Sequence, residues 1–237
     1  MTTAAMTVDV PRRFFVPTVT KQCWIFMIGS SLFAVGSAPG LSDLMGASAS
    51  NLCYFVGAWF FTTAGLIQLF LSGAIAVPVS YAPGRMVRAE WLAAATQTFG
   101  TLMFNVSTTA ALHAKTVTSQ EHLVWNPDAG GSVAFLVSGV LAFVAYAHHA
   151  RLLDLGKRAW WSVLVNFIGC VAFGLSAVGS YILPGGDTIN NALANGGTFV
   201  GAICFFLASL IVLPQWNRSA NRAAAPRGAD GIPPVIQ

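Results

Sequence analysis

Six stretches of this chain contain no Asp, Glu, Lys or Arg: residues 22–38, 51–72, 91–113, 131–150, 160–182 and 193–213. A helix of about 20 residues crosses a hydrocarbon core of about 30 Å, so apolar stretches of this length predict membrane-spanning helices. The rest of the chain is too short for a separate soluble domain. Only 8% of residues are charged and 55% are apolar, against about 25% charged in an average soluble domain. The expected fold class is an all-α integral membrane protein with six transmembrane helices that must pack on one another.

The charges order the spans. Eleven of the twelve basic residues fall at one end of a six-span arrangement: Arg12, Arg13 and Lys21 before the first span, Arg85 and Arg88 between the second and third, Arg151, Lys157 and Arg158 between the fourth and fifth, and Arg218, Arg222 and Arg227 after the sixth. The opposite end has Lys115 with Asp43, Glu121, Asp128 and Asp187. Basic loops stay cytoplasmic, so a multi-pass protein of a bacterial plasma (inner) membrane with both termini cytoplasmic is expected. The net charge of +4 then reflects topology, with the lipid bilayer as the partner and no nucleic acid. The cytoplasmic tails are 1–21 and 214–237, and within them residues 1–11 and 219–237 read as disordered. Residues 11–15, PRRFF, raise a cleaved signal peptide as an alternative for the first span.

Internal repetition argues against cleavage. FVGAWFFTTAGLIQL (55–69) and FVGAICFFLASLIVL (199–213) share nine of fifteen positions, and GSVAFLVSGVLAF (131–143) aligns with both through Gly57, Gly131 and Gly201 and through Phe61, Phe135 and Phe205. The alternate spans share a second phrase: IGSSLFAVGS, FGTLMFNVST and IGCVAFGLSA align Gly29, Gly100 and Gly169, then Phe33, Phe104 and Phe173. The chain therefore reads as three parallel hairpin repeats, 22–72, 91–150 and 160–213, with approximate three-fold pseudosymmetry about an axis along the membrane normal. Gly and Phe four apart, with another small residue three further on, share one helix face. Small residues let helices approach closely where lipid removes the hydrophobic drive. Gly29, Gly57, Gly100, Gly131, Gly169 and Gly201 are accordingly assigned to helix packing.

The stretch Ile28–Ser37, followed by a short loop and a second Gly- and Phe-rich helix, resembles the YrhK-like family of small bacterial membrane proteins. The resemblance is best over 22–72 and partial over 160–213. It implies short helical-hairpin domains of unassigned function and brings no catalytic residues.

Chemistry-bearing residues are sparse. No ionisable Asp, Glu, Lys or Arg lies deep in a predicted span, which disfavours a proton-coupled pump, and no phosphate-binding, zinc-protease or nucleophile motif occurs. Cys23, Cys53, Cys170 and Cys204 have no metal-type spacing. His148 and His149 read as an interfacial anchor. His113, Glu121 and His122 lie in or near an expected outer loop, 114–130, and could at most hold a metal. No cofactor, metal or catalytic residue is assigned.

Among the neutral polar residues inside spans, Gln68, Gln97, Asn105 and Asn166 stand out. They either join helices by hydrogen bonds or line a path for a small solute, and Gln97 and Asn166 are expected to meet. The leading functional expectation is a non-enzymatic accessory or scaffolding module, with a homo-oligomer or membrane-protein partner possible. The alternative is a channel or facilitator for a small neutral solute lined by those four residues. An outer-loop metalloenzyme is third.

Overall fold

A computed structural model describes residues 16–41, 44, 46–78 and 85–214. Arg12, Arg13, Asp43, Arg218, Arg222, Arg227 and most of both tails lie outside the described residues.

Helices dominate: α1 Val19–Ser37, α2 Ala47–Leu71, α3 Ala89–Ala111, α4 Asn126–His149, α5 Arg158–Gly179 and α6 Asn191–Val212. By length and composition, α1, α2, α4 with its preceding turns, α5 and α6 could each cross a membrane. Helix α3 is long enough at 23 residues but more polar. It buries Gln97, Thr98, Thr101, Asn105, Ser107 and Thr108.

Three local features depart from the sequence expectations. Helix α1 starts at Val19, three residues before the expected span, where the Thr18 hydroxyl caps it by accepting from the Lys21 amide at 3.3 Å. The expected outer loop 114–130 is mostly helical. Thr116 and Ser119 form a capping box around Val117–Ser119, a π-helical segment Gln120–Trp125 follows, and α4 continues from it without a break. The charge-free criterion stopped short of Asp128, although one carboxylate does not end a helix. Between α2 and α3, β1 (Ala76–Pro78) pairs antiparallel with β2 (Arg85–Val87).

Each helix packs on its two sequence neighbours, and α6 returns to α1, so the six close a ring. Helix α1 is thus built into the bundle on both flanks. The basic end is tied by Arg88, whose guanidinium donates to the Ser72 carbonyl at the end of α2 (2.9 Å) and sits 3.4 Å from Glu90. His149, at the end of α4, reaches the other Glu90 oxygen at 2.9 Å. Apolar side chains such as Phe70, Phe99, Val133, Leu175 and Leu207 face outward, the surface a bilayer would cover.

The core is aromatic. Phe33, Phe61, Phe104, Phe135, Phe173 and Phe205 are each at most 4% exposed and belong to one cluster. Within each hairpin the two phenylalanines pair at nearly equal centroid distances: 5.0 Å for Phe33–Phe61, 5.1 Å for Phe104–Phe135 and 5.3 Å for Phe173–Phe205. The odd-helix rings also meet one another, at 6.5 Å (Phe33–Phe104), 5.9 Å (Phe33–Phe173) and 5.7 Å (Phe104–Phe173).

Glycine makes those pairs possible. A Cβ on Gly29 would stand 3.0 Å from the Gly57 carbonyl oxygen, and one on Gly57 would meet Phe33 at 2.7 Å. A Cβ on Gly100 would stand 3.0 Å from the Gly131 carbonyl oxygen and against Phe135, and one on Gly131 would stand 3.0 Å from the Gly100 carbonyl oxygen and against Phe104. A Cβ on Gly201 would meet Phe173 and the Gly169 carbonyl, and one on Gly169 would meet Phe205 at 3.0 Å. In every hairpin, then, each glycine leaves room for the partner helix's phenylalanine.

Candidate functional site: two polar cavities across a phenylalanine core

Among the described residues the ring lines one cavity of about 180 Å³ at each end of the aromatic cluster. The first opens toward the start of α1 and the end of α2. Phe61, Phe135 and Phe205 form its floor. The second opens toward the start of α2 and the end of α3, and Phe33 and Phe173 form its floor. Both are half-open. Each has polar groups and more than enough room for water, which needs about 10–15 Å³ and two or more polar partners.

Gln68, Gln97 and Asn166 all line the first cavity, together with Gln22 and Ser138. Gln97 is 8% exposed, and its Oε1 accepts from Ser138 Oγ at 3.4 Å. Ser138 Oγ also donates to the Ala93 carbonyl at 2.8 Å, joining α4 to α3. The Asn166 amide reaches Cys170 Sγ at 3.8 Å on its own helix. Gln97 and Asn166, expected to meet directly or through one bridging water, share the first cavity, each with a hydrogen bond to another partner.

Asn105 has a different place. Its Nδ2 donates to Thr62 Oγ1 at 2.7 Å, a buried bond between α3 and α2, and it lines neither cavity. Its Oδ1 is buried without a hydrogen-bond partner among the described residues. One residue past Phe104, it turns from the axis toward the neighbouring hairpin.

The sequence reading missed Gln22 and the entire second cavity. Asn51, Tyr54, Trp125, Asp128, Asn195 and Thr198 line that cavity. These residues lie near helix ends, where polar side chains look like ordinary interfacial positions. The available signal was their fixed spacing from the repeated glycines.

The remaining flagged residues make local contacts. His113 approaches the Thr109 carbonyl at 3.4 Å, and His122 approaches the Asn126 amide at 3.3 Å. Among the described residues no group of three His, Cys, Asp or Glu is close enough to hold a metal. All four cysteines are free thiols. Trp160 and Trp161 donate their indole N–H groups to the Leu152 and Leu155 carbonyls, bracing the loop before α5.

Comparison with known protein families, with curated proteins and with solved structures finds no match for this chain.

Proposed function

We propose that this protein is a six-span membrane facilitator, a passive conduit for a small, neutral, polar solute along the axis of its helix ring. The observation that carries the reading is the pair of polar cavities on either side of one phenylalanine core. Three of the four amides singled out in the sequence face the first cavity instead of bonding to one another. A scaffold needs no such lining. Hydrophobic constrictions are a known gating device, since they exclude water until side chains move. Here the six rings close the path, and transit requires their rotation.

Three-fold pseudosymmetry fits this reading. Three residues before the odd-helix glycines stand Phe26, Gln97 and Asn166, and seven before stand Gln22, Ala93 and Ser162. All six line the first cavity. Three residues before the even-helix glycines stand Tyr54, Asp128 and Thr198, and six before stand Asn51, Trp125 and Asn195. All six line the second. Equivalent positions of three hairpins thus build each cavity, which supports repetition of one hairpin unit. Helix α3 counts as the sixth span because its polar residues turn inward and toward α2. The basic end, with the first cavity, is read as cytoplasmic and the second cavity as outer.

The Asn105–Thr62 bond favours a second reading, the non-enzymatic accessory or scaffolding module, in which buried amides only join helices. The resemblance of 22–72 to YrhK-like proteins is compatible with either.

An osmotic assay separates the two. Proteoliposomes containing the full chain are mixed with hyperosmotic acetamide or glycerol, and re-swelling is followed by light scattering. A conduit gives re-swelling faster than protein-free vesicles, and faster for the smaller solute. Rates equal to protein-free vesicles for every solute would favour the scaffold.

A further inference from the structure

We infer that the outer cavity is a binding site for a small alkylammonium-type cation, with the Asp128 carboxylate as its counter-charge. The inference goes beyond the conduit reading: it concerns a cation held in the outer cavity, separate from the neutral solute of the conduit.

Asp128 lines the cavity together with Asn51, Tyr54, Trp125, Asn195 and Thr198. Among the described residues it has no hydrogen bond and no ion pair; the ion pairs found both involve Glu90 at the other end. A carboxylate at the start of a helix is ordinarily satisfied by free backbone N–H groups. That explanation fails here. The chain is already helical through Val117–Trp125, and the Asn126 N–H is spent on the Glu121 carbonyl. The next residue, Pro127, has no N–H. A half-buried carboxylate without a donor retains the need for one.

The rest of the wall supplies acceptors. Thr108 donates its hydroxyl to the Phe104 carbonyl at 2.7 Å, and Ser180 to the Ala177 carbonyl at 3.1 Å. Ser176 and Thr198 bond each other at 2.7 Å, and both lie within reach of the Ala194 carbonyl, at 2.6 and 3.0 Å. Asn51 spends an N–H on the Ala111 carbonyl at 3.2 Å, and Trp125 spends its indole N–H on the Ala177 carbonyl at 2.8 Å. With those protons spent, the hydroxyl oxygens of Thr108, Ser180, Ser176 and Thr198 and the side-chain carbonyl of Asn51 keep lone pairs for a ligand. Asn51 and Asn195 each keep one further N–H, and Gln120, Ser107 and Tyr54 also carry donors. One carboxylate among neutral acceptors suits a compact solute with several N–H donors and a positive charge. A carboxylate anion or phosphate would meet an uncompensated negative charge.

The test is binding, without transport, on the detergent-purified full chain. At about pH 8 a carboxylate is ionised and an alkylammonium keeps its proton. The melting temperature is followed as methylammonium chloride replaces sodium chloride at constant ionic strength. A ligand that binds only the native state raises it. We expect a saturable rise of about 3 °C or more for wild type, none for Asp128→Asn, and a weaker rise for Asp128→Glu. Tetramethylammonium, which has no N–H, should give no rise. Should Asp128→Asn fail to fold, the comparison of methylammonium with tetramethylammonium and with neutral acetamide on wild type decides the matter. A wild-type response absent for methylammonium, equal for acetamide, or unchanged in Asp128→Asn would overturn the inference. Binding without solute flux would sink the conduit and leave this site standing. Flux without binding would do the reverse.

Discussion

At the scale of single residues, the glycines separate into those that touch a neighbour and those that do not. A side chain at Gly57 collides with Phe33 and with the Gly29 carbonyl, whereas Gly130 and Gly196 have nothing within 4 Å of an added Cβ. Overpacking a tight contact costs about 1–3 kcal/mol. Replacing a helical glycine by alanine in open space gains about 0.5–1 kcal/mol. Gly57→Leu should therefore lower the melting temperature in detergent, while Gly130→Ala and Gly196→Ala raise it slightly. Equal behaviour of all three would mean that the α1–α2 contact is not tight. These six packing glycines were legible in the sequence because they recur with a phenylalanine four residues on. Asp128 was not, because a lone carboxylate just before an apolar run looks like an ordinary loop residue. Only its distance from Gly131 links it to Tyr54 and Thr198.

At the scale of elements, hairpins are held internally by glycine contacts and to each other by side-chain bonds and small residues. Gly65 of α2 packs against Thr98 of α3, and Gly139 of α4 against Phe167 and Cys170 of α5. Asn105–Thr62 adds a buried hydrogen bond at the first of these seams. Such bonds contribute about 0.6 kcal/mol on average in membrane proteins. A double-mutant cycle with Asn105→Leu and Thr62→Val should give a coupling of about 0.5–1.5 kcal/mol in detergent unfolding. Additive effects would mean that the bond contributes nothing beyond its two side chains. Helix starts were readable from charge at α1, α5 and α6, which begin within three residues of the charge-free stretches. The start of α4 was not. Its helix runs back past Asp128 through a π-helical segment, and π-helical geometry leaves no periodic trace in so short a stretch.

At the scale of the molecule, six helices form a ring whose axis is filled by six phenylalanines, with polar space above and below. If the ring is a conduit, the aromatic core is the resistance to flow, and its size should set the rate. Phe135 tests this best. It lies in the floor of the first cavity, contacts Phe104, Phe173 and Phe205, and is 1% exposed. Leucine in its place removes a ring at modest cost in packing, while tryptophan enlarges it. The decisive measurement is acetamide flux into proteoliposomes of wild type, Phe135→Leu and Phe135→Trp, each checked for an intact melting transition. The conduit predicts flux in the order Leu, Phe, Trp, with the leucine variant several-fold above wild type. Folded variants whose flux is indistinguishable from protein-free vesicles, leucine included, would contradict it.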